Sequence, residues 1–155
     1  MDALTVGPDT PNTPDVRALL GRHFALMRAG SPAESCHVMP PEALLERDAV
    51  LMAARNDAGA VLGIGALTVI APGHGELKSM HTVENARGRG VAQAVLDALI
   101  ETVRAQGLGR LSLETGSADT FAPARALYAR NGFVICPPFA DYVADPLSVF
   151  MTRAV

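Results

Sequence analysis

Met80-His81-Thr82-Val83-Glu84-Asn85-Ala86-Arg87-Gly88-Arg89-Gly90-Val91-Ala92 decides the reading of this chain. Its first residues close a strand running from Glu76 to about Val83, its middle is a short loop rich in Gly and Arg, and its end opens a long helix. The two-residue strand period puts Glu76, Lys78, Met80 and Thr82 on one strand face and His81 on the other, with an imperfect alternation that fits a strand with work to do on both faces. A strand, a glycine loop and a helix start in that order bind anions. The first backbone N–H groups of a helix lack partners and carry partial positive charge, Gly88 and Gly90 let a phosphate approach the backbone, and Arg87 and Arg89 add full charges. A pyrophosphate is the natural occupant, and an ordinary helix start is the competing account.

Working outward, the helix from Arg89 to Gln106 carries Val91, Val95, Leu99 and Val103 on one face and Gln93, Asp97, Glu101 and Arg104 opposite, with Gly107 as its stop. A strand over Leu111–Thr115 and a helix over Ala122–Arg130, with Pro123 in its first turn, come next. Strands at Phe133–Cys136 and Ser148–Arg153 end the chain. Upstream, Val50–Arg55 and Val61–Val69 flank Asn56-Asp57-Ala58-Gly59 and read as a hairpin. Before it stand a strand at Leu4–Val6 stopped by Gly7-Pro8, a helix from about Asp15 to Arg28, and a short helix from Pro40-Pro41 to about Arg47. The order is α/β.

The 155 residues are 49% hydrophobic and 19% charged, which suits one compact domain over residues 1–155 with a core that needs no disulfide or metal. A net charge of -3 gives no electrostatic footprint for nucleic acid or an anionic membrane surface. Ala60–Ala71 is too short for a membrane span, and Met1-Asp2-Ala3-Leu4 does not resemble a secretory leader, so a cytoplasmic location is expected. Cys36 and Cys136 have no ligand-spaced neighbours, so no metal site is legible and reduced thiols are expected.

Two rival motifs fail on named residues. A dinucleotide fingerprint needs a third Gly where Gln93 stands, and a phosphate-loop NTPase needs a Gly-Lys-Ser/Thr that is absent. The run Arg87-Gly88-Arg89-Gly90-Val91-Ala92 does match Q/R-x-x-G-x-G/A, the acetyl-CoA signature of the GNAT acetyltransferase superfamily. Ala126-Leu127-Tyr128 with Asn131-Gly132-Phe133 resembles that family's A-L-Y-x-x-x-G-F segment. Glu76-Leu77-Lys78-Ser79-Met80, Leu113-Glu114-Thr115-Gly116 and Asp145-Pro146-Leu147-Ser148-Val149-Phe150-Met151 are similar to a small bacterial subgroup of it. Glu84 departs from the family, where Pro is common.

The resemblance implies a mixed, mostly antiparallel sheet of six to seven strands, splayed between the fourth and fifth and flanked by about four helices. It implies acetyl-CoA as co-substrate. Met80, His81 and Thr82 would meet the pantetheine arm, and Arg87, Gly88, Arg89, Gly90, Val91 and Ala92 the pyrophosphate and adenosine end. Tyr128 occupies the position of the general acid, and Glu76, eleven residues before Arg87, that of a proton-accepting carboxylate. A main-chain N–H near Met80 or His81 would stabilise the oxyanion.

Each residue also has a plainer reading. Tyr128 is equally a packed aromatic, Glu76 a carboxylate paired with Lys78 or Arg55, and His81 a structural imidazole. Glu34, Ser35 and His37 lie where this family lids the acceptor pocket, and Glu114 and Arg125 are further acceptor contacts, with Asp141, Tyr142 and Asp145 at its far wall. All are compatible with solvated positions. The implied activity is acetyl transfer to a primary amine of a small molecule or peptide. The alternatives are a CoA-binding partner module without turnover, and an enzyme acting on protein N-termini or lysines. Terminal strands often pair such chains into homodimers, and Val149–Met151 suits that role or an ordinary core strand.

Overall fold

The computed structural model describes residues 3–32 and 35–155. Seven strands, β1 (Thr5–Asp9), β2 (Val50–Arg55), β3 (Val61–Ala71), β4 (His74–Thr82), β5 (Arg110–Gly116), β6 (Val134–Ile135) and β7 (Ser148–Ala154), form one sheet in the order β1-β2-β3-β4-β5-β7-β6. Every neighbouring pair is antiparallel except β4 and β5. Four helices, α1 (Pro14–Gly30), α2 (Pro41–Glu46), α3 (Val91–Ala105) and α4 (Ala122–Arg130), flank it. The connection from β4 to β5 runs through α3, as a parallel pair requires.

The two sheet faces have separate cores. On one, Val91, Val95, Leu96, Leu99, Ile100 and Val103 of α3 pack with Leu67, Leu77, Leu111, Leu113 and Met151. On the other, Val16, Leu19 and Leu20 of α1 and Leu44 of α2 pack with Leu51, Ala53, Ile64 and Ala66. Each fully buried Leu or Val contributes about 1.5–3 kcal/mol relative to exposure. A Cβ at Gly65 would lie 2.4 Å from Met80 Sδ and 2.9 Å from both Val95 and Leu99, so β3 must be bare there for α3 to sit this close. That contact holds the N-terminus of α3 beside the end of β4.

The β4–β5 ladder runs from His74↔Arg110 to Leu77↔Leu113 and stops. Beyond it β4 stays paired with β3 as far as Thr82↔Gly63, and β5 with β7 as far as Gly116↔Ser148. The two strands therefore part, leaving unpaired backbone of residues 78–82 facing that of 114–116.

Several boundaries differ from the sequence reading. β1 continues through Gly7-Pro8, because it pairs only with β2 and an edge strand tolerates the missing N–H of proline. β6 keeps only Val134–Ile135: Phe133 is 3% exposed and turns into the α3-side core. β7 lies inside the sheet between β5 and β6, so the Val149–Met151 run is an inner strand. No helix among the described residues is long and apolar enough to cross a membrane.

Candidate active site

Strict alternation fails in β4, and the failure shapes the site. Cross-strand partners share a sheet face, and Glu76, Lys78 and His81 oppose Thr68, Ala66 and Ile64, all on the α1 face of β3. Leu77 and Thr82 oppose Leu67 and Gly63 on the α3 face. Ser79 and Met80 together face Gly65, a β-bulge with Ser79 at φ 57. The extra residue moves Met80 and Thr82 onto the α3 face and His81 onto that of Glu76, so both strand-face expectations are corrected.

At the wide end of the parted strands, a 3-10 turn (Glu84–Ala86) leads through Arg87 to the start of α3. Gly88 and Gly90 hold φ 77 and 80, and a Cβ on either would meet no atom within 4 Å, so the space in front of them is open. Gly90 is the N-cap of α3, no side chain caps the helix, and no acid sits in its first turn. Its backbone donors and partial positive charge stay uncompensated. Arg87 and Arg89 are exposed and make no ion pair among the described residues, while Val91 is buried and Ala92 half-buried. This donor set fits a pyrophosphate.

At the narrow end, on the α1 face, lies a buried polar trio. Glu76 Oε2 accepts from the Tyr142 hydroxyl at 2.5 Å and from Lys78 Nζ at 3.2 Å, and Lys78 Nζ also donates to the Tyr142 oxygen at 2.9 Å. The side chains of Glu76 and Lys78 are 5% and 7% exposed. Of the two partners open to Glu76, the structure has Lys78; Arg55 instead pairs with Asp9 and Asp15. Burial, then the Glu76 carboxylate, push the Tyr142 hydroxyl well above the ordinary phenol range.

Glu114, one residue past the last β4–β5 pair, shares this face, since its neighbour in alternation Ser112 opposes Glu76. It forms no ion pair among the described residues, and burial pushes its carboxyl up to about 7, with the Glu76 and Asp145 charges adding to the shift and Ser148 and Lys78 opposing it. Phe139 and Tyr142 of the β6–β7 connection close the face by stacking on Phe150, ring centres 5.8 and 5.4 Å away. His37 packs edge-on to Tyr142 at 5.0 Å, and Ser35 Oγ donates to Asp145 at 2.6 Å, which brings the α1–α2 connection onto the same wall. Glu34 lies outside the described residues.

Three expected residues lie apart from this polar wall. Tyr128 is on the α3 side, 5% exposed against Phe133, with its hydroxyl bonded to no described residue and raised by burial. His81 meets His23 of α1, Nδ1 to Nδ1, at 3.0 Å. Arg125 gives its guanidinium to the carbonyls of Gly116 and Ala118 at 2.6 and 2.9 Å, fastening α4 to the end of β5. Asp141 is exposed. Among the described residues no cluster of three or more His, Cys, Asp or Glu could hold a metal. Sequence reading missed His23, Ser79, Phe139 and Phe150; the imperfect residue pattern of Glu76–Val83 hinted that the strand is irregular but not where the bulge falls.

Comparison with known proteins places the sequence and the fold in one family. The family described as Acetyltransferase (GNAT) matches residues 22–133. An uncharacterized N-acetyltransferase of Bacillus subtilis (strain 168), YsnE, is 44% identical over 89% of this chain and 91% of its own. An IAA acetyltransferase of Azospirillum brasilense is 38% identical over 79% and 78%. Among solved structures, a candidate acyl-CoA N-acyltransferase from Klebsiella pneumoniae subsp. pneumoniae MGH 78578 superposes with TM-score 0.79 at 30% identity, covering 97% of each chain. A GNAT family acetyltransferase from Elizabethkingia anophelis with acetyl-CoA bound shares the fold, with TM-score 0.72 at 18% identity over 100% of each chain. The chain belongs to the GNAT family of acyl-CoA-dependent N-acyltransferases.

Proposed function

We propose that this chain transfers acetyl from acetyl-CoA to a primary amine of a small molecule or peptide by direct attack in a ternary complex. The observation that carries the reading is the uncapped start of α3, open at Gly88 and Gly90, standing at the wide end of the parted β4 and β5. Arg87 and the amides from Gly88 to Ala92 hold the pyrophosphate, Arg89 lies towards the adenosine end, and the unpaired backbone of Met80, His81 and Thr82 pairs with the extended arm. Acetyl-CoA supplies the activated acyl group.

The acceptor enters on the α1 face, where Ser35, His37 and Glu114 line the approach to Glu76. Glu76, held by Lys78 and Tyr142, belongs to this reading as the carboxylate that takes the amine proton, directly or through water. Tyr128, on the opposite side, protonates the departing thiolate; a phenol with no competing acceptor is free to donate there. Arg125 contributes by fixing α4, which carries Tyr128, to β5.

The test is thiol release from acetyl-CoA with amino acids, polyamines, aminoglycosides, short peptides, and the IAA named for the Azospirillum relative. Turnover with a free amine supports the reading. CoA binding without turnover across the panel contradicts it in favour of a binding module, and turnover confined to peptides keeps the transfer chemistry and narrows the acceptor to protein N-termini or lysines.

A further inference from the structure

Of the 13 Lys and Arg residues in this chain, Lys78 is the only lysine. Elsewhere the sequence uses arginine, as where Arg55 pairs with Asp9 and Asp15. The two cations differ in chemistry. A guanidinium keeps its charge, whereas an ammonium that passes a proton to a neighbour becomes a nucleophilic amine. The one side-chain amine of the chain is buried, 7% exposed, with Nζ 3.2 Å from Glu76 Oε2 and 2.9 Å from the Tyr142 oxygen.

Lys78 is the first residue of β4 beyond the last β4–β5 pair, Leu77↔Leu113, and so stands at the vertex from which the two strands part. It shares the α1 face with Glu76, since the two oppose Ala66 and Thr68 on β3. Across the gap, burial raises the Glu114 carboxyl first and the Lys78 charge opposes that shift, so the ammonium acts on both strands. Tyr142 covers it, with Nζ 5.7 Å from the ring centre. In the acetyltransferase reading the arm runs from the start of α3, at the wide end, towards this vertex. That reading asks for a primary amine beside the carboxylate of Glu76, and the chain itself supplies one there.

We propose that Lys78 is a self-modification site, whose Nζ takes the acetyl group from acetyl-CoA bound without an acceptor; the proposal rests on the acetyltransferase reading above. The ammonium passes one proton to Glu76, and the freed lone pair forms the C–N bond while the C=O π pair moves onto oxygen. That pair returns as the C–S bond breaks, its electrons leave on sulfur, and a second proton from nitrogen ends there. The protons of Nζ finish as one on the amide, one on Glu76 and one on the CoA sulfur, and the two charges of the ion pair cancel. Acetylation removes the cation that Glu76 pairs with, so a site left without acceptor changes its own charge.

The test incubates the whole wild-type chain with isotope-labelled acetyl-CoA in an amine-free buffer and reads intact mass and tryptic peptides. Incorporation should approach one acetyl per chain, counting any that Lys78 carries as purified. Acetylation should block tryptic cleavage after Lys78 and so join the peptides 56–78 and 79–87. Excess desacetyl-CoA and unfolding in urea should each slow labelling at least about tenfold, and Glu76→Gln should slow it by about 100-fold, as loss of a proton acceptor does. The desacetyl-CoA arm needs no variant to fold. Unmodified Lys78 in protein that binds acetyl-CoA overturns the assignment, as does labelling confined to the N-terminal amine. Labelling that stays as fast with desacetyl-CoA, in urea or in Glu76→Gln overturns it too. Failure of the wild-type protein to bind acetyl-CoA at all overturns the acetyltransferase reading itself, which is a separate result.

Discussion

The Nδ1 atoms of His23 and His81 face each other at 3.0 Å across the contact between α1 and β4. One must donate and the other accept, so the pair holds together only while at least one ring is neutral at that atom. Burial, then the His81 ring, draw the His23 pKa down to about 4; burial, then Arg87 and Arg22, lower that of His81.

A depressed histidine means that the unfolded chain binds more protons than the folded one between pH 6.5 and about 4. Stability should therefore rise with pH through that window and fall as acid protonates the pair, by on the order of 3 kcal/mol in total for His23. Urea unfolding at intervals from pH 4 to 7.5 measures the slope. His23→Phe should flatten it; an equally steep slope in that variant would place the acid sensitivity elsewhere.

Lys78 and Glu76 form a buried pair, and each leaves the other uncompensated when removed. Lys78→Met should destabilise by about 3–5 kcal/mol, and Glu76→Gln on top of it should recover part of the loss. Chemical denaturation of both singles and the double closes the cycle. Strict additivity would mean that the two side chains do not interact.

Glu114 behaves in the opposite sense to His23. Its carboxyl is raised from 4.5 to about 7, so the folded chain holds a proton that the unfolded chain releases between those values, and stability from this group falls as pH rises through that window. Glu114→Gln should raise the melting temperature more at pH 8 than at pH 4.5. A uniform shift at both would remove burial of the carboxyl as the cause.

The turnover chemistry makes its own demand on Tyr128. Tyr128→Phe is expected to reduce kcat by roughly 10- to 1000-fold while leaving acetyl-CoA affinity nearly unchanged, the pattern of a lost general acid. Single-turnover kinetics beside a binding titration separates the two, and unchanged kcat would leave Tyr128 as a packed aromatic against Phe133.

The sheet, α3 and the glycine cradle were legible because each rests on local signals: the 3.6-residue repeat of Val91, Val95, Leu99 and Val103, the turn at Asn56–Gly59, and Gly88 and Gly90 before a helix. β4 was read on the wrong faces beyond Lys78, since a bulge is set by what β3 and α3 leave room for at Gly65 and not by β4 itself. The polar and aromatic wall proposed for the acceptor joins residues 35–37, 76–78, 114 and 139–150 through tertiary contacts alone. His23 and Phe139 carried no sign of their partners His81 and Phe150. Tyr142 and Asp145 were expected at the far wall, but not that Tyr142 binds Glu76 and Asp145 binds Ser35.

The cradle is the central claim, and calorimetric titration of CoA into the wild-type protein and Gly90→Val tests it most directly. Wild type should bind saturably, in the micromolar to millimolar range usual for such co-substrates, and more weakly as salt is raised. Gly90→Val should lose at least about tenfold in affinity while retaining the wild-type circular dichroism spectrum, because its side chain stands where the phosphates approach the start of α3. Equal CoA affinity in both proteins would contradict the account.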